Sequence, residues 1–386
     1  MAKKLLVLVI TVIVILSNLE MVVRMWDPNG SIRLYEDHQE VGRTYKPNLD
    51  VMVRADDGSR AELITNSFGF IGEEVAEVKE EETLRIVSHG DSFTSGHDAD
   101  YDRKFVTLLA PKISEALGQN VESLNFGIPS QGTQESFLHY EHRARDFDPD
   151  IAILFFFLGN DFDENLEDLE DIQAKFAARE EGSSLRVLTR KSELVLYLLN
   201  RFVQISVTNE IMYRLGIIRE RGDFSLQDEN MGDGRADIPQ RLRLLTTVDE
   251  PLNEQALSQA RRYLTMFRDR TKEDSVAFVV VVLPSHAQAE QRIENAFVKR
   301  YPLLAELNFD VTRSHKALIT ILQDLNIDYI DMTPHFRANC EGNPACGIYI
   351  CDDCHLGYPG HELVAEVTTD YLLEHTIPAI NAHNSP

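Results

Sequence analysis

Residues 84–94 of the chain read Leu-Arg-Ile-Val-Ser-His-Gly-Asp-Ser-Phe-Thr, an apolar, β-branched run followed by a small polar turn. The run predicts a buried strand, and similar runs recur at residues 123–126, 151–158, 276–283 and 327–330. Segments with helical spacing of apolar residues separate or follow these runs, at residues 105–117, 134–145, 253–270, 311–325 and 358–375. This alternation predicts an α/β fold in which helices cover both faces of a doubly wound, parallel, five-stranded sheet.

The alternation is interrupted after the third predicted strand, between residues 163 and 250. A connection of this length must contain structure of its own. Residues 191–215 have apolar side chains at spacings of three and four, which predicts an amphipathic helix within a helical insertion. Two interpretations of the insertion stay open, a cap over a functional site and a helical decoration without a role in chemistry.

The charge balance argues against one class of partner. The chain has 386 residues, with 38 Lys plus Arg against 63 Asp plus Glu and a net charge of −25. Such a field repels phosphate backbones, so nucleic acid is not expected as a ligand. The composition is otherwise that of an ordinary globular protein, and it leaves the oligomeric state open.

The N-terminus carries a separate signal. Lys3 and Lys4 precede an apolar run at residues 5–16, which indicates an export signal or a membrane anchor over residues 1–26. Twelve helical residues rise about 18 Å, short of a hydrocarbon core of about 30 Å, so the span is marginal. Because no small-x-small cleavage pair follows, we expect an uncleaved anchor with the rest of the chain on the extracytoplasmic side. Residues 27–82 then form an N-terminal extension, and residues 83–386 form the main domain.

All four cysteines lie near the C-terminus, at Cys340, Cys346, Cys351 and Cys354. In an oxidising compartment they are expected to pair as disulfides, for which three connectivities exist. The alternative is a zinc site, because Cys351 and Cys354 form a C-x-x-C pair. The six-residue separation of Cys340 and Cys346 and the export signal favour disulfides over a metal site. A cofactor is not expected either.

Ser92 follows the first predicted strand, on a turn at the carboxyl end of the sheet, where open α/β sheets bind ligands. A serine hydroxyl becomes a useful nucleophile only when an imidazole takes its proton and a carboxylate orients that imidazole. Asp352 and His355 offer such a pair after the fifth predicted strand, at the same edge of the sheet. His286 and His361 are interpreted as structural residues.

Hydrolysis of an ester also requires donors for the oxyanion that forms when the carbonyl is attacked. Residues 125–132, Asn-Phe-Gly-Ile-Pro-Ser-Gln-Gly, follow the second predicted strand and can expose backbone N–H groups. Residues 159–161, Gly-Asn-Asp, follow the third, and Asn160 can donate its side-chain amide. Either segment alone would pass as an ordinary turn.

Taken in order, Gly-Asp-Ser-Phe-Thr, Asn-Phe-Gly-x-Pro, Gly-Asn-Asp and Asp-x-x-His resemble the four sequence blocks of the SGNH/GDSL hydrolase family. The resemblance runs from residue 84 to the C-terminus, interrupted by the insertion. It implies a three-layer, flavodoxin-like α/β/α sandwich in which Ser92 attacks and His355, oriented by Asp352, acts as the base. The N–H of Ser92 and the amide of Asn160 would then hold the oxyanion.

The chain departs from the family pattern at the second backbone donor of the oxyanion hole. The family usually has glycine there, whereas the corresponding place in this chain falls on Ser130, with Gly132 two residues later. Both residues are therefore candidates. Asp353 adjoins the predicted triad acid, but the family spacing selects Asp352.

These motifs predict a serine-dependent ester hydrolase that acts through an acyl-serine intermediate. A small acyl ester or an acylated glycan is the expected substrate, for example an acetylated carbohydrate or cell-envelope polymer. One alternative is an O-acyltransferase that moves an acetyl group onto a glycan with the same residues. Another is a catalytically silent, glycan-binding scaffold of the same fold.

Overall fold

The computed structural model describes residues 2–26, 34–55, 57–96, 98–180, 194, 238–247, 250–340, 343, 346–350 and 355–384. Its centre is a parallel sheet of five strands. Four short strands precede this sheet in the chain, so the nine strands are numbered as follows: β1 Tyr35–His38, β2 Gly42–Tyr45, β3 Asp50–Arg54, β4 Arg60–Ile64, β5 Leu84–Gly90, β6 Val121–Asn125, β7 Ile151–Phe157, β8 Ala277–Leu283 and β9 Asp328–Asp331.

The strand order of the central sheet is β6-β5-β7-β8-β9. Counted from the first strand of the sheet, this is the flavodoxin-like order 2-1-3-4-5, as expected for a doubly wound fold. The next strand after β5 in the chain, β6, pairs with one edge of β5, and the strand after that, β7, pairs with the other edge of β5. The carboxyl ends of β5 and β7 therefore border the crevice in which such sheets bind ligands.

Fourteen helices accompany the strands in the described residues, together with short 3₁₀ segments and a π segment at Leu372–Thr376. They are α1 Ala2–Trp26, α2 Ser92–Ser95, α3 Phe105–Leu117, α4 Thr133–His142, α5 Asp161–Glu164, α6 Leu169–Glu180, α7 Gln240–Arg243, α8 Glu250–Glu273, α9 His286–Ala289, α10 Gln291–Arg300, α11 Thr312–Asp324, α12 Thr333–Cys340, α13 Tyr358–Tyr371 and α14 Ile377–Asn384. The five predicted strands of the sheet and the main predicted helices all appear, with ends that differ by a few residues.

Successive side chains of a strand point to opposite faces of the sheet, and in a buried strand the side chains on both faces are apolar. Ile153 and Phe155 of β7 belong to a core with α3 and α13, whereas Leu154 and Phe156 belong to a second core with α4, α8 and α11. This accounts for the nearly continuous apolar sequence of β7, and it confirms the three-layer α/β/α prediction.

The N-terminal extension contains regular structure of its own. β1 pairs with β2, and β3 pairs with β4 in an antiparallel hairpin. Residues 36–82 belong to the same compact unit as the sheet. Phe70 is buried against Phe126, with ring centroids 4.6 Å apart, and the N–H of Ile71 donates to the carbonyl of Asn125. The extension thus contributes to the core.

The helix α1 covers most of the predicted anchor, residues 1–26. Among the residues that the structure describes, no helix combines the length and the apolarity needed to cross a membrane, so the expected transmembrane helix is not found there. Most of the predicted insertion, including residues 195–237, lies outside the described residues.

Arg85, the second residue of β5, has a fully buried side chain. Its Nε donates to Glu122 Oε2 of β6 at 2.6 Å, and its Nη1 and Nη2 donate to the carbonyls of Phe147 and Ala76 at 2.5 and 2.8 Å. A buried guanidinium is tolerated only when such partners replace its lost hydration. This residue therefore ties β6, the segment before β7 and the N-terminal extension to β5.

We expect Arg85→Lys to lower the free energy of unfolding by about 3 kcal/mol, because a single ammonium cannot reproduce these divergent bonds in a buried site. Urea unfolding followed by circular dichroism measures the change. The matched control is Arg261→Lys, at an exposed ion pair with Asp324, for which we expect a change below about 0.5 kcal/mol. Equal effects of the two substitutions would contradict the role assigned to Arg85.

Candidate active site

Ser92 begins α2 directly after β5, at the carboxyl edge of the sheet. The turn is enforced by Gly90, whose φ of 146° disfavours any side chain and whose Cβ would lie 2.7 Å from the carbonyl oxygen of Phe155. Asp91 caps the short helix by accepting the N–H of Phe93 at 2.8 Å. Local sequence thus presents the hydroxyl of Ser92 at the end of a buried strand.

His355 comes from the loop before α13, and its Nε2 lies 2.7 Å from Oγ of Ser92. The two residues are 263 positions apart in the chain. The imidazole ring also lies beside Phe93, at a centroid distance of 5.0 Å, and Phe93 in turn stacks on Phe157. A hydroxyl at this distance from an imidazole nitrogen can transfer its proton to it.

The other nitrogen of the same ring faces a carboxylate that the sequence motifs did not indicate. Nδ1 of His355 lies 2.7 Å from Oδ2 of Asp98, whose side chain is 1% exposed. Asp352, the predicted orienting acid, lies outside the described residues. The one signal available in the sequence was an acidic residue in the turn six positions after Ser92, and such residues are common in turns.

Asn160, a predicted oxyanion donor, follows β7 and is the residue immediately before α5. Its Nδ2 donates to Oε1 of Glu164 at 2.9 Å. One acidic side chain thus fixes the orientation of an amide that has two N–H donors. Ser92 itself starts α2, where backbone N–H groups have no partner within the helix.

The two backbone candidates for the oxyanion hole differ in the structure. Ser130 is exposed and has a φ of 57°, in the left-handed region. The N–H of Gly132 donates to Oε2 of Glu135 at 3.1 Å and so helps begin α4. That bond occupies the donor which an oxyanion would need, so Gly132 is the weaker of the two candidates.

Three buried carboxyl groups lie behind the nucleophile turn. Oxygens of Asp91, Asp161 and Glu164 all lie within 4.8 Å of one another. Burial raises the pKa of Asp91 to about 6, and burial together with the neighbouring carboxylates raises the pKa of Asp161 and Glu164 well above their usual range. The cluster therefore retains protons at pH values where exposed carboxyls are ionised.

Carboxylate oxygens are also ligands for hard cations, but the members of this cluster already have structural roles. Oδ1 of Asp91 accepts the N–H of Phe93, and Oδ2 of Asp161 accepts the N–H of Phe157 at 2.9 Å. Oε1 of Glu164 is engaged with the amide of Asn160.

Cys340 and Cys346 form a disulfide, which confirms that part of the cysteine prediction. A disulfide leaves no thiolate on either sulfur, so this pair does not offer the ligands of the alternative zinc site. Cys351 and Cys354 lie outside the described residues, and their pairing stays a prediction.

The two additional histidines have structural contacts. His361 is buried, its Nδ1 accepts the N–H of Phe105 at 3.2 Å, and burial lowers its pKa to about 3. His286 lies 2.7 Å from Glu290 and stacks on Tyr349. Both arrangements agree with the interpretation of these residues as packing groups.

No protein-family model matches the sequence, and no curated protein is similar enough to count as a match. Among solved structures, the chain is similar to a lipase/acylhydrolase from Enterococcus faecalis, with 14% identity, a TM-score of 0.38, and 75% of this chain and 95% of the other covered. It is also similar to a catalytic mutant of an acetylxylan esterase from Geobacillus stearothermophilus, with 10% identity, a TM-score of 0.39 and coverage of 78% and 96%. A third is the acetyl xylan esterase AlAXEase, with 14% identity, a TM-score of 0.38 and coverage of 75% and 100%. Similarity at this level does not assign an activity to the chain.

We expect Glu164→Gln to raise the melting temperature at pH 8 relative to the unchanged protein, with the difference shrinking toward pH 4. Folding raises the pKa of this carboxyl, so the carboxyl ionises more readily in the unfolded chain than in the folded protein. The folded state therefore loses stability as pH rises through the range between the unfolded and the folded pKa. The neutral amide avoids this ionisation and keeps an oxygen for the Asn160 bond. Differential scanning calorimetry between pH 4 and pH 8 measures the effect, with exposed Glu170→Gln as the control. A difference that is constant across this range would contradict the interpretation.

Proposed function

We propose that this chain is a serine-dependent ester hydrolase of the SGNH/GDSL type. The observation that carries the proposal is the 2.7 Å separation of Ser92 Oγ and His355 Nε2 at the carboxyl edge of the sheet. This is the edge at which doubly wound folds bind their ligands. The resemblance of the sequence blocks around Ser92, Asn160 and His355 to those of the family supports the same conclusion.

In the proposed reaction, Ser92 Oγ attacks the ester carbonyl and its proton passes to Nε2 of His355. The tetrahedral oxyanion is held by the N–H of Ser92 and by the amide of Asn160, with a backbone N–H such as that of Ser130 as a third donor. His355 then gives its proton to the leaving alcohol, which leaves an acyl-serine. Water, deprotonated by His355, cleaves the acyl-serine, releases the carboxylic acid and restores the hydroxyl.

A small acyl ester, for example an acetylated carbohydrate, is the proposed substrate. A cavity of about 100 Å³ lies beside Asn160, but its lining includes Asp163, Arg241 and Arg313 as well as apolar side chains. Neither Ser92 nor His355 lines this cavity, so the proposal of a short acyl group rests on the sequence blocks and not on the cavity.

The second candidate is transfer of the acyl group to a sugar hydroxyl. It uses the same acyl-serine, and His355 would deprotonate the acceptor hydroxyl in place of water. The contact between Ser92 and His355 serves both reactions equally. A catalytically silent scaffold is disfavoured, because binding alone gives no reason to hold the imidazole against the serine hydroxyl.

We expect release of p-nitrophenol from p-nitrophenyl acetate and butyrate, with octanoate a poorer substrate, and a loss of at least about 10³-fold in kcat in Ser92→Ala. The matched control is Ser114→Ala in α3, whose hydroxyl donates to the carbonyl of Gln119. Turnover that survives in Ser92→Ala would exclude this serine as the nucleophile. Turnover only with an added sugar acceptor would favour transfer over hydrolysis.

We propose an extracytoplasmic location, supported by the Lys3 and Lys4 pair before an apolar run and by the disulfide between Cys340 and Cys346. If the location is right, alkylation of freshly isolated protein before reduction should leave both cysteines unlabelled in peptide mass spectra. Protein produced in a reducing compartment serves as the comparison, and its thiols should be labelled. Labelling of both thiols in protein from its native compartment would contradict the proposal.

A further inference from the structure

We infer that Glu164, the last residue of α5, and Asn165, which follows it, position the donors of the oxyanion hole. Glu164 orients the amide of Asn160, and Asn165 holds the turn at residues 130–132, which contains both backbone candidates. The inference rests on the proposed function and deepens it, since neither residue belongs to the four sequence blocks. Both act through other residues, so they are positioning residues.

Glu164 is paired with Asn160 through side chain and backbone. It lies four positions later, the spacing that brings two side chains together on one face of a helix. Nδ2 of Asn160 donates to Oε1 of Glu164 at 2.9 Å, and the N–H of Glu164 donates to the carbonyl of Asn160 at 2.9 Å. Because the amide nitrogen is planar, a bond to one of its N–H groups fixes the direction of the other. A donor that is aimed in advance needs no reorganisation when the oxyanion forms.

Asn165 makes a reciprocal contact with the start of α4. Its side chain is buried, its Oδ1 accepts the N–H of Thr133 at 2.7 Å, and its Nδ2 donates to Oγ1 of Thr133 at 3.1 Å. Gly132, the residue before α4, has no side chain that could accept from the first N–H groups of the helix, so Asn165 supplies an acceptor from a distant segment. A Cβ on Gly132 would lie 2.7 Å from Oδ1 of Asn165, so this close approach requires glycine.

Further bonds fix the segment that contains Ser130 at both of its ends. On the α4 side, Nε2 of Gln134 donates to the carbonyl of Glu164 at 2.6 Å, which adds a second tie to α5. On the β6 side, the N–H of Ile128 donates to the carbonyl of Gly90 at 3.1 Å, in the nucleophile turn. The segments that carry the proposed donors are therefore joined to one another by specific hydrogen bonds.

A positioning role and a role limited to helix capping predict different results. Loss of a cap alone lowers the stability of the protein, and activity falls only as far as the folded fraction falls. Loss of a positioning contact lowers kcat in protein that is still folded, because the donor no longer meets the charge that develops in the transition state.

The first test compares Glu164→Met with Glu164→Gln in the full chain, with p-nitrophenyl acetate as substrate. Methionine offers no carboxyl oxygen, and we expect it to lower kcat by about 10–10²-fold with KM changed by less than about threefold, as part of the contribution of one oxyanion donor is lost. Glutamine keeps an oxygen for the amide and should restore most of kcat. Glu170→Met, at an exposed position of α6, is the control, and the melting temperature of each variant reports folding.

Combination with Asn160→Ala separates the two positioning roles. If Glu164 acts through the Asn160 amide, Glu164→Met should add less than about twofold to the loss in Asn160→Ala. Asn165→Ala acts on the turn instead, so it should lower kcat by about tenfold and multiply the loss in Asn160→Ala. If Asn165→Ala does not fold, Thr133→Val should lower kcat in the same way, and Thr133→Ser should restore it. Multiplication of the losses in Glu164→Met and Asn160→Ala, or losses no larger than the fall in folded fraction, would overturn the inference.

A nuclear magnetic resonance readout keeps the inference separate from the proposed function. In protein labelled with nitrogen-15 at asparagine, the side-chain amide of Asn160 is identified by its loss in Asn160→Ala. Its bonded N–H should exchange slowly with solvent in the unchanged protein and in Glu164→Gln, and at least about tenfold faster in Glu164→Met. Absence of turnover in the unchanged protein would refute the proposed function, while these exchange rates still decide whether Glu164 holds the amide. Equal exchange in all three proteins overturns the inference.

Discussion

Parallel pairing of β5 with β6 on one side and β7 on the other is the constraint on which the rest of the structure depends. It places the first strand of the sheet in the interior, so the residues after β5 and β7 share one crevice. Arg85 supports the arrangement near the start of β5, by bonding to β6, to the segment before β7 and to the extension. Ser92 and Asn160 reach the same edge as a direct result, and the loop before α13 brings His355 to it.

The surroundings of Ser92 contain several ionisable groups that are buried with particular partners. Behind the nucleophile turn, the carboxyls of Asp91, Asp161 and Glu164 crowd together, and their raised pKa values mean that the site retains protons. Beside the nucleophile, Asp98 and His355 form a close pair. The protein is strongly acidic overall, but the charge of each of these interior groups depends on its own burial and on the neighbouring ionisable groups.

Both proposed reactions, hydrolysis and acyl transfer, use the same first half-reaction. In both proposals, the serine, the imidazole and the oriented amide serve the formation of the acyl-serine. The choice between water and a sugar hydroxyl depends on what reaches the acyl-serine afterwards. Assays with and without a glycan acceptor separate the two.

The sequence by itself determined the fold class, because the apolar runs of β5, β7 and β8 and the periodic helices between them express local burial and spacing. It also put Ser92, Asn160 and His355 at one edge, since each follows a strand in a parallel sheet. The tertiary structure decided that Asp98 faces His355, that Gly132 is engaged with Glu135, and that the polar extension packs into the core. These outcomes depend on distances between residues far apart in the chain or on the path of irregular turns, and such distances leave no periodic pattern in the sequence.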